Sequence, residues 1–225
     1  AALAAVVQGC DAVVNLVGVL HDASGPRSFA GAHVLLAHKV VAACSSHNVR
    51  RLLHMSALAA APDAPSDYLR SKGEAERIVL ESGLDVTVFR PSVIFGTDDS
   101  FLNLFARLLC LFPVMPLGSP NARFQPVYVA DVAAAFVRAL ADCETFGCRY
   151  ELCGPKRYTL RELVAYVGAV TGHPRPILGL NRALSFLQAA AMELLPVKLI
   201  TRDNVRSMQI DSVCDCPFPF GIKPQ

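Results

Sequence analysis

The sequence is short of charged residues. Asp, Glu, Lys and Arg make up 18% of its 225 residues and leave a formal net charge of +2, whereas soluble domains usually carry roughly 25% charged residues. Hydrophobic residues make up 53%, so the composition excludes a disordered chain, and the small, dispersed charge excludes the basic footprint of a nucleic-acid-binding protein. The excess of apolar residues predicts a large core or a surface that a partner covers.

The sequence also lacks an uninterrupted apolar run of membrane-spanning length. Residues 1–20 contain Gln8, Asp11 and Asn15 and no basic head, so they are typical neither of a signal peptide nor of a spanning helix. Residues 183–200 are apolar but interrupted by polar side chains and Pro196. This second run predicts a helix that faces the core, with a helix lying on a membrane surface as the alternative.

No metal-binding pattern is present among the eight cysteines and six histidines. No Cys-x-x-Cys pair occurs, no histidine follows a cysteine at zinc-finger spacing, and the histidines do not cluster. A domain of this length needs no disulfide bonds to be stable. We therefore expect no metal site, and reduced, mostly buried thiols.

Short apolar runs alternate along the chain with segments of helical periodicity. The predicted strands are 11–17, 51–56, 84–90, 124–129 and 149–153. The predicted helices are 28–47, 66–82, 101–112, 131–140, 159–170, 181–195 and 202–208. This alternation predicts βαβ units and therefore an α/β, Rossmann-like parallel sheet with helices on both faces. The last 70 or so residues contain few strands and many prolines, so we expect a domain at 1–153 and a small, mostly helical C-terminal domain at 154–225.

A glycine-rich phosphate-binding turn is absent. Neither G-x-G-x-x-G nor G-x-x-G-x-x-G follows a predicted strand, and Gly18, Gly25 and Gly31 have the wrong spacing. In a dinucleotide-binding fold this turn follows the first strand. We therefore expect the sheet to be N-terminally incomplete in this chain: the turn lies upstream of Ala1, or the protein has lost it, which would put cofactor binding in question.

Tyr68 and Lys72 are the residues best placed to carry chemistry. Their i, i+4 spacing puts them on one face of the predicted helix 66–82. Because a nearby ammonium favours the phenolate, we expect the pKa of Tyr68 to fall from about 10 towards neutrality. Ser56 ends a predicted strand and so lies at the carboxyl edge of the sheet, where open parallel sheets bind ligands. The alternatives are a solvated Tyr–Lys pair and a strand-end hydroxyl bonded to loop backbone.

Ser56, Tyr68 and Lys72 resemble the Ser…Tyr-x-x-x-Lys set of the short-chain dehydrogenases/reductases. Residues 90–96 and 126–133 are similar to the R-P-x-x-x-x-G and P-x-H-V-x-D-V-A segments of the extended and atypical branches of that family. The resemblance implies that the three residues are catalytic, or are remnants of a catalytic set.

The departures from that pattern narrow the resemblance. Phe95 stands where the family usually has Tyr, and Tyr128 stands where it usually has His. The segments that carry the narrower resemblance are Asn15-Leu-Val-Gly18, Tyr68-Leu-Arg-Ser-Lys72, Ser100-Phe-Leu-Asn103, Gln125-Pro-Val-Tyr-Val-Ala-Asp131 and Ile200-Thr-Arg-Asp-Asn204. Together they resemble the family of Rossmann-like accessory subunits of respiratory complex I, the alpha subcomplex subunit 9 family, and its bacterial relatives.

This resemblance implies a non-catalytic subunit that holds NADP(H), or alternatively NAD(H), as a structural cofactor and supports assembly of the complex. It implies other complex I subunits as partners, peripheral contact with the membrane, and a place on the matrix side of the mitochondrial inner membrane. The bacterial relatives imply the cytoplasm or the inner face of the plasma membrane as the alternative. The competing function is an active NAD(P)H-dependent reductase, epimerase or dehydratase, which the intact Ser/Tyr/Lys set favours.

We expect the cofactor-binding residues to line one cleft at the carboxyl edge of the sheet. In this cleft Lys72 would contact the nicotinamide ribose, and the backbone of residues 91–94 would contact the carboxamide. The predicted cofactor-binding residues are Asn15, Leu16, Val17, Gly18, Met55, Ser56, Tyr68, Lys72, Pro91, Ser92, Val93 and Ile94.

Overall fold

The computed structural model describes residues 2–194 and 199–225. The strands are β1 (Ala12–Asn15), β2 (Arg51–Met55), β3 (Asp85–Pro91), β4 (Ile94–Phe95), β5 (Met115–Leu117), β6 (Arg123–Phe124), β7 (Val127–Tyr128), β8 (Arg149–Leu152), β9 (Tyr158–Thr159) and β10 (Ile177–Gly179). The α-helices are α1 (Ala2–Val7), α2 (Leu36–Ser46), α3 (Asp67–Leu80), α4 (Leu102–Leu111), α5 (Val129–Leu140), α6 (Leu160–Val170), α7 (Arg182–Glu193) and α8 (Arg202–Ser207). A π-helical turn, Ala30–Leu35, leads directly into α2.

A parallel sheet stands at the centre of the molecule, with its strands in the order β1-β2-β3-β8. Asn15 of β1 pairs with His54 of β2, and His54 pairs with Val88 of β3. Four of the five residues of β2 are buried, as expected of a parallel strand that is covered on both faces. The predicted α/β fold with a parallel sheet is confirmed.

Helices cover both faces of this sheet. Successive residues of a strand point to opposite faces, and Leu52 packs in a cluster with Val40 of α2 and Val79 of α3. Leu53, the next residue, packs in a separate cluster with Phe136 of α5. The apolar runs of the sequence therefore supply two cores, one on each side of the sheet.

The carboxyl ends of β1, β2 and β3 lie at one edge of the sheet because these strands are parallel. Helix α3 begins shortly after this edge, where the Ser66 hydroxyl accepts a hydrogen bond of 3.2 Å from the Leu69 amide. This is the N-cap that the sequence predicts, since a cap side chain satisfies an amide that the helix leaves free. Helix α3 brings Tyr68 and Lys72 back over the strand ends.

The C-terminal elements pack against the middle of the chain. Phe105 and Leu109 of α4 share a core cluster with Leu160 and Val164 of α6. Strand β10 pairs with β5 in parallel, and β9 pairs with β6 in antiparallel fashion. These contacts cross the boundary proposed at residue 153, and the division of the chain into two domains stays a prediction.

Several predicted elements are shorter than, or shifted from, what the sequence pattern indicates. The predicted strand 124–129 is two short strands, β6 and β7, and the helix expected to open at Asp131 begins at Val129. Helix α7 ends at Glu193, and the predicted end at Leu195 lies outside the described residues, as do Pro196 and Lys198. No helix within the described ranges is long and apolar enough to span a bilayer.

The expectation of reduced, mostly buried thiols is wrong. Cys153 and Cys214 form a disulfide with a Cα–Cα distance of 6.1 Å across 61 residues of sequence, a pairing that only the folded chain brings together. Among the free cysteines, Cys44 is buried and Cys148 is half-buried. The others are exposed: Cys10, Cys110, Cys143 and Cys216.

Candidate functional site

The Asn15 side chain organises the turn that follows β1. Its amide nitrogen donates to His54 Nδ1 at 3.1 Å, and its oxygen accepts from the Val17 amide at 3.2 Å. Asn15 is buried, whereas the Leu16 and Val17 side chains are about half exposed. The turn therefore presents its backbone to the site while one buried amide fixes its conformation.

Lys72 joins the ends of β1 and β2. Its ammonium donates to the Met55 carbonyl at 3.1 Å and to the Val17 carbonyl at 3.5 Å, and only 4% of the residue is exposed. Within residues 2–194 and 199–225 no carboxylate forms a salt bridge with it. Burial lowers the pKa of Lys72 from 10.5 to about 8, because a low-dielectric environment disfavours the charged form.

Gly18 lies directly against this ammonium. A Cβ on Gly18 would be 3.0 Å from Lys72 Nζ and 3.7 Å from His33 Nε2, so a larger residue would require the ammonium to shift. The predicted grouping of Val17, Gly18, Met55 and Lys72 is therefore present as a set of direct contacts.

His33 is a site residue that sequence reasoning missed. It lies in the π-helical turn before α2, and its Nε2 accepts from the Val19 amide at 3.1 Å. The proton must then be on Nδ1, which donates to Ser71 Oγ at 2.7 Å, and Ser71 Oγ donates to the Tyr68 carbonyl at 2.8 Å. This chain of hydrogen bonds ties the turn after Gly18 to α3.

The ring of His33 is neutral in this position. Burial, followed by the charge of Lys72, lowers its pKa from 6.5 to about 4, against a weaker opposing effect of Asp22. In the sequence, His33 is not spaced from other residues as metal ligands are, so no pattern marks it as a site residue. Only the structure singles His33 out, because it lies in a π-helical turn and such turns occur often at functional sites.

Tyr68 is not activated by Lys72 as the sequence suggested. Its ring packs against Phe29 and His33. The centroid of the Tyr68 ring is 5.9 Å from that of Phe29 and 5.7 Å from that of His33. Burial raises the pKa of Tyr68 from 10.0 to about 12. The expected fall towards neutrality is therefore wrong in the protein alone, because desolvation of the phenolate outweighs the ammonium, whose hydrogen bonds go to backbone carbonyls.

Ser56 lies directly after β2, at the carboxyl edge of the sheet. It is buried, and its backbone amide donates to the Phe89 carbonyl at 2.8 Å. The Ser56 hydroxyl is buried and has no hydrogen-bond partner among the described residues, and a catalytic role for Ser56 stays a prediction.

Residues 91–94 lie next to the Ser56 loop, since the Leu58 amide donates to the Pro91 carbonyl at 3.1 Å. The Ser92 hydroxyl is bonded to the C-terminal segment: it donates to the Ser212 carbonyl at 2.7 Å and accepts from the Gln125 amide at 3.2 Å. Val93 contacts the cluster between α4 and α6, and Ile94 contacts the cluster beneath α5. The segment reaches the predicted edge with its side chains facing the protein.

Helix α8 contacts two parts of the site, the start of α3 and the segment after Gly18. The Asp203 carboxylate accepts hydrogen bonds from the Asp67 amide at 2.8 Å and from the Tyr68 amide at 3.0 Å. Ser207 Oγ donates to Ser66 Oγ at 2.8 Å, and the Asn204 side-chain Nδ2 donates to the Leu20 carbonyl at 3.3 Å. The C-terminal region therefore holds both the start of α3 and the segment that follows Gly18.

Comparison with known proteins assigns this arrangement to a family. A family profile described as NAD(P)H-binding matches residues 1–142. The chain belongs to this NAD(P)H-binding family. The match covers strands β1, β2 and β3 of the central sheet and continues through α5. It includes the turn after β1, Lys72 and residues 91–94, and it ends before β8.

The named relatives agree with the resemblance found in the sequence. The NADH dehydrogenase [ubiquinone] 1 alpha subcomplex subunit 9, mitochondrial, of Arabidopsis thaliana is 37% identical over 162 residues, which cover 71% of this chain and 40% of the relative. The protein of the same name from Mus musculus is 34% identical over 229 residues, covering 97% and 59%. The chain thus spans about half the length of these relatives.

The solved structures show the fold. The NADPH-dependent quinone oxidoreductase QOR2 of Escherichia coli, complexed with NADPH, superposes with a TM-score of 0.69 at 22% identity. The similarity covers 92% of this chain and 66% of that one. It confirms the Rossmann-like architecture and says nothing further about activity.

The residues at the sheet edge fit a nicotinamide dinucleotide. The Lys72 ammonium has three N–H donors, of which the described contacts use two, so a third is available to a ligand hydroxyl. Gly18 leaves backbone, not side chain, beside that ammonium. Close backbone approach and a hydrogen-bond donor are the features by which dinucleotide folds hold their ligand.

Proposed function

We propose that this chain is part of an accessory subunit of respiratory complex I that holds a nicotinamide dinucleotide as a structural component. The names of the relatives, at 34–37% identity, support assignment to the complex, and membership of the NAD(P)H-binding family supports the ligand. Because the chain spans only 40–59% of these relatives, the role of the whole subunit is inferred from this part.

The state of the Tyr68/Lys72 pair carries the proposal. A tyrosine whose pKa is about 12 keeps its proton at neutral pH and is a poor proton-transfer group, since efficient general acids and bases have a pKa near the working pH. Lys72 is positively charged at pH 7, buried, and fixed by two carbonyls. In the protein without ligand the pair is therefore arranged to bind rather than to transfer a proton.

A nicotinamide dinucleotide supplies hydride-transfer chemistry when bound. The residues of this chain would orient it: Lys72 by a hydrogen bond to a ribose hydroxyl, and the Asn15–Gly18 turn by its backbone. His33 keeps that turn against α3, and α8 covers the start of α3. We take NADP(H) in preference to NAD(H), on the resemblance of the sequence to the alpha subcomplex subunit 9 family.

Attachment to a larger complex agrees with the surface of the protein. Apolar side chains project from the outer face of α5, where Val137 is 72% exposed and Val129 and Leu140 are also exposed. Leu184 and Leu187 of α7 are exposed as well. Apolar surface of this kind is characteristic of permanent interfaces, so we propose other complex I subunits as partners and, from the relatives' names, a mitochondrial location.

The second candidate function is an active NAD(P)H-dependent reductase, epimerase or dehydratase. The observation that favours it is the retention of a tyrosine and a lysine one helical turn apart on α3, at the carboxyl edge of the sheet. It requires that a bound ligand lower the pKa of Tyr68 from the value it has in the protein alone.

Mass spectrometry of ligand released from the native complex tests the proposal. We expect one nicotinamide dinucleotide per subunit, and the 2′-phosphate distinguishes NADP(H) from NAD(H). Lys72→Met should lower the retained dinucleotide and the yield of assembled complex, because a hydrogen bond to a charged donor contributes roughly 1.5–3 kcal/mol. Lys39→Met, on the exposed face of α2, is the matched control. Full assembly of a Lys72→Met complex that lacks dinucleotide would contradict a structural role.

A further inference from the structure

Three cysteines and a carboxylate converge between β8 and the C-terminal segment. Two short motifs supply them, Glu151-Leu-Cys153 and Cys214-Asp-Cys216, each with its side chains two residues apart. In an extended strand, residues i and i+2 point to the same side, and Leu152 between the first pair is buried in the core beneath α5. The second motif lies against the first through the Cys153–Cys214 disulfide.

Three side chains of this cluster are close enough to share one metal ion. Cys153 is outside that group of three and is connected to it through its bond to Cys214. The sulfur atoms of Cys214 and Cys216 and a carboxylate oxygen of Glu151 all lie within 4.8 Å of one another. Cys216 Sγ is 3.8 Å from Glu151 Oε2. Zinc–sulfur bonds of about 2.3 Å and zinc–oxygen bonds of about 2.0–2.2 Å place tetrahedral ligand atoms roughly 3.5–3.8 Å apart.

We propose that the reduced protein binds one zinc ion through Cys153, Cys214, Cys216 and Glu151. Three thiolates and one carboxylate form a ligand set that suits Zn²⁺, which accepts sulfur and oxygen ligands in tetrahedral geometry. The proposal is independent of the dinucleotide site, since none of these four residues belongs to it.

The disulfide and the zinc site are alternative states of the same sulfur atoms. A dithiol reductant donates two electrons and two protons to the Cys153–Cys214 bond and itself becomes a disulfide. Zinc then displaces three protons, one from each thiol, and the two separated sulfurs need only move from bonding distance to roughly 3.8 Å. Glu151 supplies a carboxylate oxygen as the fourth ligand atom.

The surroundings support a negatively charged zinc site. Three thiolates, a carboxylate and Zn²⁺ sum to a charge of −2, and Arg157 lies alongside, where it donates to the Cys214 carbonyl at 2.6 Å and pairs with Asp215. Bound zinc would deprotonate the three thiols that hold it.

Either state would hold the C-terminal segment in place. Ser212, two residues before Cys214, bonds to the Ser92 hydroxyl, so the cluster anchors the segment that contacts residues 91–94. The reduced, metal-free protein would lose this anchor.

Zinc titration of the reduced chain tests the proposal. The full chain, reduced with a phosphine under nitrogen, should bind one zinc per molecule by atomic emission, whereas the oxidised chain with its disulfide intact should bind none. Cadmium in place of zinc should give the ultraviolet charge-transfer band of three thiolates. Zinc should also raise the Tm of the reduced form alone, by mass action on the folded state.

Cys216→Ser is the decisive variant, because the side chain is exposed and outside the disulfide, so the oxidised fold is retained. It should weaken zinc binding by at least about tenfold. Changes to residues that only support metal ligands already weaken metal binding about 10- to 100-fold, so loss of a ligand should weaken it by no less. Glu151→Gln should weaken it too, and Cys110→Ser, an exposed cysteine of α4, should not. Absence of stoichiometric zinc in the reduced chain, equal binding by the oxidised chain, or equal effects of Cys216→Ser and Cys110→Ser would each overturn the proposal.

Discussion

Replacing Lys72 by methionine should change the pH dependence of stability. Burial lowers the pKa of Lys72 from 10.5 to about 8. Between these pH values the unfolded chain keeps the proton and the folded protein releases it, so stability rises with pH in that window. Below pH 8 both states are charged, and the folded state carries the full cost of the buried ammonium.

The magnitude follows from the displacement of the pKa. A difference of about 2.5 pH units, at 1.36 kcal/mol for each, gives a cost of about 3 kcal/mol at pH 7. Roughly 2.5 kcal/mol of this is relieved by pH 10. The free energy of unfolding of the natural protein should therefore rise by that amount relative to Lys72→Met between pH 7 and pH 10.

Urea denaturation of both proteins at a series of pH values measures this difference. Methionine has no titrating group, so other groups that titrate in the window cancel in the comparison. Lys39→Met, at an exposed lysine of α2, should show a curve parallel to that of the natural protein. If the Lys72→Met curve is also parallel, the ammonium is not desolvated and the reasoning about the site is refuted.

Two further predictions concern the groups around Lys72. Burial is the largest cause that lowers the pKa of His33 to about 4 and of His54 to about 3. The unfolded chain therefore binds protons at these histidines below about pH 6.5 while the folded protein does not, so the free energy of unfolding falls as the pH drops towards 3–4. Thermal melts should show a shallower fall with pH for His33→Asn, and an unchanged slope would count against a buried neutral ring. Asp203→Ala removes the acceptor for two amides of α3 and should lower the free energy of unfolding by about 1–2 kcal/mol. Asp63→Ala, at an exposed loop position, is the control and should have no effect. Equal effects of the two variants in urea denaturation would contradict the cap.

Much of the fold could be predicted because its signals are local. The strand pattern of residues 51–56 and the Ser66 cap each depend on a few neighbouring residues, and the structure has both a buried β2 and the cap at α3. Spacing alone placed Tyr68 and Lys72 on one helix. The predicted boundaries of elements, such as the start of α5 at Val129, were less accurate. Several residues there are compatible with either a strand or a helix.

The parts of the site that sequence reasoning missed all depend on tertiary contacts. The pKa of Tyr68 rises because the folded protein packs Phe29 and His33 around it, which an i, i+4 spacing does not reveal. Asp203 caps a helix that begins 136 residues earlier in the chain. The disulfide likewise joins segments that are far apart in sequence, so no spacing rule identifies it.

The account rests on the claim that the dinucleotide is structural, and Tyr68→Phe tests that claim most directly. The variant removes one hydroxyl, which matters for proton transfer but leaves the aromatic packing with Phe29 and the Lys72 contacts in place. In cells that carry only this variant, dinucleotide occupancy, yield of assembled complex I and NADH:ubiquinone activity should all remain near normal. Loss of physiological function at full occupancy and normal assembly would contradict the account and identify the protein as an enzyme.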